Sequence, residues 1–445
     1  MINLSPEILT AILLGGVLFG VLLGYPLAIV IGGIGLLVGL SLYGLGVVAE
    51  LYHQRLFYQI TNYVLLAVPF FVFMGDMLEK SGVTEGLYDA MYLWLGGLKG
   101  GLALATMIIG TILAACVGVI AASTTLLALV ALPSMVKKGY DKSLASGTVC
   151  AGGTLGILIP PSVMLVVYGP MAQLSVGKLF FGAFLPGLLL SLLYCMYIII
   201  FCLIKPEAGP PVSAAERQVP LSKKLRMLIT ALVPPMILIT AVMGSIFFGV
   251  AAPTEAAAVG AFTAILLAVA YRKFTFGMLK RTAYDAVKLS GMILLIASLS
   301  FAFVGVFVRA GCGVVVQELI TSAPGGSWGC FFIIMLVCFL LGLFIDWIGI
   351  VFILVPIITP IGETLGFDPL WFAMMVCVNL QTSFMTPPFA YAIFFVKGAA
   401  SPELGVTINH IIRGVIPFVV LILVGLFLCV AFPEIILWLP NKMIK

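Results

Sequence analysis

Residues 152–162 read GGTLGILIPPS, and residues 379–389 read NLQTSFMTPPF. Each stretch lies inside a long apolar region, yet each carries a double proline, and the first also carries three glycines. Proline removes a backbone donor and clashes with the preceding helical turn, which leaves carbonyl groups that lipid cannot satisfy. Such a break is tolerated only where these carbonyls face protein, water or a bound ion. The two stretches therefore predict two interrupted membrane helices.

Composition places the chain among polytopic α-helical membrane proteins. Of its 445 residues, 63% are hydrophobic and 9% are charged, and the mean hydropathy is +1.27. These values lie far outside the range of a soluble globular domain. Apolar stretches long enough to cross a hydrocarbon core of about 30 Å recur along the whole chain.

The distribution of Lys and Arg indicates the orientation of the chain in the membrane. One set of loops carries 17 of the 22 cationic residues and the other set only 5, and the cationic loops face the cytoplasm. The apolar region between Lys99 and Lys137 must therefore enter and leave the membrane on the cytoplasmic side. By the same reasoning, region 330–361 enters and leaves on the outer side. We expect two hairpins that enter from opposite faces.

The two halves of the chain align as a repeat. Asp141 precedes Pro160 by 19 residues, and Asp368 precedes Pro387 by the same 19 residues. Because the two units have opposite orientations, the repeat is inverted. Inverted repeats with helices broken at corresponding points are typical of secondary transporters, whose binding site forms where the breaks meet near the bilayer midplane.

These features predict an all-α polytopic membrane protein with two re-entrant hairpins and two discontinuous helices. A segment rich in Pro and charge separates the two halves and reads as a cytoplasmic linker. The predicted organisation is N-terminal scaffold spans at 1–98, a first repeat unit at 99–204, the linker at 205–226, further scaffold spans at 227–308, a second repeat unit at 309–433 and a C-terminal tail at 434–445.

Polar side chains concentrate at the predicted hairpin tips. Three consecutive hydroxyls begin at Ser123, ten residues before Pro133, and the same count back from Pro356 reaches Asp346. Hydroxyl and carboxylate oxygens suit a hard cation, although hydroxyls also cap the carbonyls of their own helix. An aspartate among apolar membrane residues is costly and therefore indicates function, either as a Na⁺ ligand or as a proton carrier.

Other motifs carry less chemistry. Glu255 follows Thr254 at the start of an alanine-rich run, where it is expected to cap a helix N-terminus. Arg309, at the outer end of a span, is expected to extend to the interface. The sequence contains no GxxxxGK[ST] motif for ATP and no recognisable acid–base constellation. We therefore expect a protein that is not an enzyme and needs no cofactor.

The chain resembles the large membrane subunit of the tripartite ATP-independent periplasmic (TRAP) transporters. Its LQTSFMTPPF form is similar to the branch often labelled mannitol/chloroaromatic-type. Many family members carry a Ser-rich, acidic first hairpin, whereas this chain has VIAASTTLL. The matching segments are ALPSMVKKGYDKSLASGTVCAGGTLGILIPPSVMLVVYG, SVGKLFFGAFLPGLLL, GVAAPTEAAAVGA, LGLFIDWIGIVFILVPIITPIGETLGFDPLWF and NLQTSFMTPPFAYAIFF.

The resemblance implies a sodium-coupled importer of a small organic acid in the bacterial inner membrane. It also implies two partners, a small four-helix membrane subunit and a periplasmic substrate-binding protein, and an elevator motion of the hairpins and broken helices. Na⁺ would be the coupling ion. The alternative is a self-sufficient carboxylate symporter or antiporter of the same architecture, coupled to Na⁺ or H⁺, and a copurifying four-span protein distinguishes the two.

Within this framework we expect two Na⁺ sites, each built from one hairpin tip and one break. The substrate carboxylate is expected to lie between the two tips. The predicted residues are Ser123, Thr124, Gly152 and Gly153 for the first Na⁺ site, Asp346, Trp347, Asn379 and Gln381 for the second, and Thr125, Thr154, Pro160, Ser383 and Thr386 for the substrate.

Overall fold

A computed structural model describes residues 4–443, which are nearly all helical and contain no β-strand. This confirms the predicted all-α class. The helices are α1 (Pro6–Leu22), α2 (Leu27–Ile60), α3 (Ala67–Lys80), α4 (Val83–Leu95), α5 (Gly101–Val117), α6 (Ile120–Lys137), α7 (Lys142–Thr154), α8 (Val163–Ala172), α9 (Val176–Ile204), α10 (Leu221–Ile239), α11 (Ser245–Phe247), α12 (Pro253–Ala270), α13 (Phe276–Arg309), α14 (Cys312–Thr321), α15 (Gly326–Gly342), α16 (Trp347–Gly349), α17 (Val355–Thr364), α18 (Pro369–Leu380), α19 (Tyr391–Ala399), α20 (Ile408–Ala431) and α21 (Glu434–Leu437).

Eight of the described helical segments are long and apolar enough to cross a membrane. The number of candidate spans rises to nine if α14 and α15, which meet at an angle of 118°, are counted together as one span. A π-helical turn joins α10 to α11, and another joins α16 to α17. The apolar segments thus fold as the composition predicts, as a polytopic helical bundle.

The scaffold is built around α13, which packs against α2 along much of its length. Helix α2 bends back on itself at Gly44, whose φ is 74°. Across this bend the hydroxyl of Tyr52 donates to the carbonyl of Gly32 at 3.2 Å. The amide of Gln59 donates to the carbonyl of Leu294 on α13 at 3.3 Å. Hydrogen bonds therefore hold both arms of α2 in place inside an otherwise apolar bundle.

The two predicted hairpins are α5–α6 and α15–α17. The first legs, α5 and α15, each have 17 residues. The first tip turns at Gly118, whose φ is 64°, and a Cβ at this position would lie 2.9 Å from the carbonyl oxygen of Pro161. Gly118 therefore provides both the backbone conformation and the space that bring the tip against the first break.

Two interrupted helices follow the hairpins, as the double prolines predict. A 3₁₀ turn at Leu155–Ile157 separates α7 from α8, and one at Gln381–Phe384 lies between α18 and α19. The peptide bonds within both Pro-Pro pairs are cis. The aspartates used to align the repeat are N-caps of equivalent helices, because Asp141 and Asp368 each accept a backbone N–H at 2.9 Å.

The register of the two hairpins differs from the one that the prolines suggest. The returning legs begin at Ile120 and Trp347 and each span 18 residues. Pro133 therefore lies opposite Pro360, and Asp346 occupies the position immediately before the returning helix, as Val119 does in the first copy. The offset from Pro133 to Pro360 is the same 227 residues that separates Asp141 from Asp368, so the returning leg and the break after it align without an insertion.

A short helix precedes each hairpin, α4 in the first half and α14 in the second. The predicted boundary at residue 99 leaves α4 outside the first unit, whereas the boundary at 309 includes α14. Because α4 and α14 occupy equivalent positions, each repeat unit begins one helix before its hairpin. Helix α10 also begins at Leu221, so the last residues of the predicted 205–226 linker are helical.

Candidate transport site

The first hairpin tip contacts the first break through a hydroxyl. Ser123 is fully buried, and its Oγ donates to the carbonyl of Gly153 at 2.8 Å. The same hydroxyl lies 3.0 Å from the carbonyl of Val119 in its own hairpin. The Ser123 side chain thus links the tip to the break, and both Ser123 and Gly153 belong to the first predicted Na⁺ site.

Thr124 completes this group. Its side chain is fully buried, and its Oγ1 has no hydrogen-bond partner among residues 4–443. A Cβ added to Gly153 would lie 2.2 Å from this oxygen, whereas the backbone of Gly152 faces α5, where a Cβ on Gly110 would lie 2.8 Å from the Cα of Gly152. Three of the four predicted residues of the first Na⁺ site, Ser123, Thr124 and Gly153, therefore converge and leave one buried oxygen without a partner, whereas Gly152 packs against the first leg of the hairpin.

The two amides of the second break, Asn379 and Gln381, are buried. Asn379 Nδ2 donates to the carbonyl of Met335, on the first leg of the hairpin, at 2.7 Å. Gln381 is buried, and its Nε2 lacks a partner within the described chain. The amide nitrogen of Asn379 is therefore engaged by the first leg of the hairpin and not by Asp346 at its tip.

Asp346 lies at the second tip, immediately before α16. Its Oδ1 is buried without a partner in the described residues. The contact between tip and break is made instead by Ser383, whose Oγ would lie 1.8 Å from a Cβ on Gly342, and by Phe389, whose N–H donates to the carbonyl of Leu343 at 3.2 Å. Ser383 Oγ is a further buried oxygen without a partner in residues 4–443.

The residues predicted to hold the substrate are spread over the two breaks. Thr154 Oγ1 lies 4.0 Å from the sulfur of Met385, so the breaks of the two units touch. Thr386 donates to the carbonyl of Thr382 within its own break. Pro160 is buried. Thr125 is half-buried in the first turns of α6.

A cavity of about 250 Å³ lies between the two tips. It is lined by residues of both tips, including Asp346 and Trp347, and by aromatic side chains of the second break, such as Tyr391. Helix α13 of the scaffold forms another side. None of the five predicted substrate residues lines it. The run FAYAIFF after the second double proline is the sequence signal for the aromatic side.

A larger vestibule of about 760 Å³ lies between the scaffold and the repeat units. It is lined by Arg55 of α2, by the end of α8 and by residues of α17 that include Glu363. The positive-inside assignment places these segments at the outer face. The exposed guanidinium of Arg55 makes no ion pair within residues 4–443. This open cavity therefore carries the unpaired guanidinium of Arg55, and also the carboxylate of Glu363, at the outer face.

Comparisons with known proteins agree with this architecture. The family described as "Tripartite ATP-independent periplasmic transporter, DctM component" matches residues 12–435. The chain is 32% identical over 389 residues to the C4-dicarboxylate TRAP transporter large permease protein DctM of Pseudomonas aeruginosa, covering 87% of this chain and 88% of the relative. It is 27% identical over 437 residues to the 2,3-diketo-L-gulonate TRAP transporter large permease protein YiaN of Escherichia coli, covering 98% and 99%.

The fold is also similar to a solved transporter structure. The YdaH transporter of Alcanivorax borkumensis superposes with a TM-score of 0.63 at 14% identity, covering 89% of this chain and 90% of that one. The curated relatives are transporter permeases and not enzymes. The chain is a multi-pass protein of the inner membrane, from a family that works with a small membrane subunit and a periplasmic binding protein. It belongs to the DctM family, the large permease component of tripartite ATP-independent periplasmic transporters.

Proposed function

We propose that this permease couples the uptake of a small organic acid to the inward movement of Na⁺. In this proposal a periplasmic binding protein delivers the acid, and a four-helix membrane subunit supports the scaffold. The names of relatives, which include a dicarboxylate and a sugar-acid transporter, support a carboxylate as the substrate class. The geometry of this chain bears most directly on the proposed Na⁺ sites.

The observation that carries the proposal is a set of buried oxygens without partners at the tips and breaks. They belong to Thr124, Asp346 and Ser383. Leaving a buried polar atom unsatisfied costs about 1–3 kcal/mol, and more for a charged group, so an unpartnered oxygen at a tip or a break, where other oxygens lie nearby, would be stabilised by a bound cation. Hard cations prefer hydroxyl, carboxylate and carbonyl oxygens. A Na⁺ ion at each tip would supply the missing partner.

The two cavities support an elevator motion. The vestibule is bounded by the outer part of α13 near Val304 and Val308. The cavity between the tips contacts the same helix at Leu289, Met292 and Ile293, several turns closer to its cytoplasmic end. In our proposal, the hairpins and broken helices slide as one body along α13 and carry the cavity between these two depths.

Reconstituted uptake tests the proposed coupling. The permease and its small subunit are placed in liposomes, the loaded binding protein is added outside, and uptake of its organic acid is followed with and without an inward Na⁺ gradient. We expect accumulation only with the gradient. Uptake that needs a proton gradient instead would exclude sodium coupling. Uptake that proceeds without the binding protein would favour the self-sufficient symporter.

A further inference from the structure

The cavity between the hairpin tips is lined mainly by apolar side chains, and the aromatic ones come from the second repeat unit. Aromatic side chains of the second unit, Trp347, Phe384, Tyr391 and Phe395, form one wall. We propose that this cavity selects a monocarboxylate with an aromatic or branched apolar body, in preference to a dicarboxylate or a polyhydroxy acid. This inference rests on the proposed function and specifies its substrate class.

The aromatic wall is ordered by contacts among its own rings. The rings of Tyr391 and Phe395 stack with centroids 5.9 Å apart and an interplanar angle of 15°. Phe389 meets Tyr391 edge-on at 4.6 Å. Aromatic surfaces of this kind favour apolar or aromatic partners in stacked or edge-on arrangements. The wall thus presents an apolar face that is already in place for a flat or branched ligand.

The opposite side of the cavity is equally apolar. The first hairpin tip contributes Val119 and Ile120, and the scaffold contributes Met292 and Ile293. These aliphatic groups offer no hydrogen bonds to hydroxyl groups of a ligand. Among the described lining residues, only Asp346, Trp347 and Tyr391 have polar side chains, so most hydroxyls of a sugar acid would lose their hydration without gaining a partner, which disfavours its binding relative to an apolar ligand of the same size.

Charge further narrows the ligand to one carboxylate. Among the described residues that line the cavity, Asp346 is the one carboxylate, and Lys, Arg and His are all absent. The side-chain donors are the hydroxyl of Tyr391 and the indole N–H of Trp347, enough for a single carboxylate assisted by Na⁺. A second carboxylate would face Asp346 without a cationic partner, and like charges repel in a low-dielectric site.

The size of the cavity agrees with a compact ligand. Its volume of about 250 Å³ lies just below the usual range of small-molecule pockets, about 300–1,000 Å³. A benzene ring or a branched five-carbon chain with one carboxylate is a ligand of this scale. Phenylacetate and 4-methylpentanoate are therefore suitable probes, with succinate and gluconate as the polar comparisons.

Direct binding to the membrane complex tests the proposal, because the binding protein would impose its own selectivity on uptake. The purified permease with its small subunit is titrated with each of the four acids, in NaCl and in choline chloride, and ligand-induced thermal stabilisation is measured. We expect phenylacetate and 4-methylpentanoate to bind at least about tenfold more tightly than succinate and gluconate in Na⁺. Equal or tighter binding of succinate or gluconate would overturn the proposal, as would absence of binding by all four at about 10 mM.

A pair of adjacent variants locates the effect. Phe395→Ala removes a ring from the cavity wall, whereas Phe394→Ala removes its exposed neighbour on the same helix. We expect the first to weaken phenylacetate binding about tenfold and the second to leave it unchanged. The thermal midpoint measured in NaCl without any acid shows whether each variant is folded. The ranking of the four acids on the unaltered protein does not depend on either variant. If phenylacetate and 4-methylpentanoate bind equally well in NaCl and in choline chloride, the result would count against sodium coupling but not against the proposed selectivity of the cavity.

Discussion

Ser123 Oγ lies 2.8 Å from the carbonyl oxygen of Gly153 and thereby joins the first hairpin tip to the first break. The hydroxyl of the next residue, Thr124, is buried beside this contact without a partner in the described chain. A cation bound here would be held by the tip and the break together. Na⁺ binding would therefore stabilise one relative position of these two segments, as a coupled transporter requires.

Thr124→Val removes the unpartnered oxygen while it keeps the shape of the side chain. If this oxygen is a Na⁺ ligand, the variant should need at least about tenfold more Na⁺ for half-maximal stabilisation, since a bond to a charged group contributes about 1.5–3 kcal/mol. Na⁺-dependent thermal shift measures this. Thr148→Val is the matched control, because Thr148 is also buried and unpartnered within residues 4–443 but lies earlier in α7. Equal effects of both variants would refute a specific role for Thr124.

Gly153→Ala should separate the tip from the break. The new Cβ would lie 2.7 Å from the Cα of Thr124 and 2.2 Å from its Oγ1, so the backbone of the tip must shift. We expect Na⁺-driven uptake to fall at least about tenfold. Gly33→Ala serves as control, since nothing lies within 4 Å of a Cβ at Gly33 in α2. Normal uptake by Gly153→Ala would show that the tip tolerates displacement.

Arg55→Gln should slow the capture of anionic substrate in the outer vestibule. Fixed charge at a cavity mouth raises the arrival rate of an opposite charge by about tenfold or more, and salt screens the effect. We expect a raised KM at low ionic strength that approaches the native value at high salt. Arg309→Gln provides the comparison, because Arg309 lies over the ring of Tyr43 at 5.1 Å. A salt-independent loss of activity would instead indicate a structural role for Arg55.

Glu216→Gln tests how the cytoplasmic linker is held. Hydrogen bonds from Lys138, Tyr92 and Ser213 lower the pKa of Glu216 to about 2. A lowered pKa means that the stabilising contribution is present above the ordinary pKa of a glutamate and is lost as the pH falls from about 4.5 towards 2. We expect a slightly lower thermal midpoint for the variant at pH 7, reduced by salt. A difference that grew as the pH fell below 4.5 would contradict this assignment.

Much of the architecture can be predicted from the sequence because proline and charge act locally. The double prolines mark both breaks, and Asp141 and Asp368 cap equivalent helices. Glu255 caps its helix as expected, with its carboxylate accepting the N–H of Ala252 at 2.9 Å. In each case the residue acts on backbone groups only a few positions away, so the local sequence is enough to predict the break or the cap.

Features that depend on packing between distant segments were harder to predict. The returning leg of the second hairpin carries two prolines, Pro356 and Pro360, and the observed helix starts pair Pro360, not Pro356, with Pro133. Asn379 lies in the predicted break but bonds to Met335, because the leg of the hairpin and not its tip passes beside it. The run FAYAIFF contains Tyr391 and Phe395, but the position of these rings beside both tips follows from packing between distant segments and not from the run itself.

In the proposed mechanism, substrate and Na⁺ move together through the two tip-and-break pairs. The most direct measurement follows labelled Na⁺ and labelled organic acid simultaneously in liposomes that contain the full tripartite system. We predict that each accelerates the uptake of the other, and that Thr124→Val reduces both fluxes while Thr148→Val reduces neither. Accumulation of the acid without any accompanying movement of Na⁺ would contradict the account.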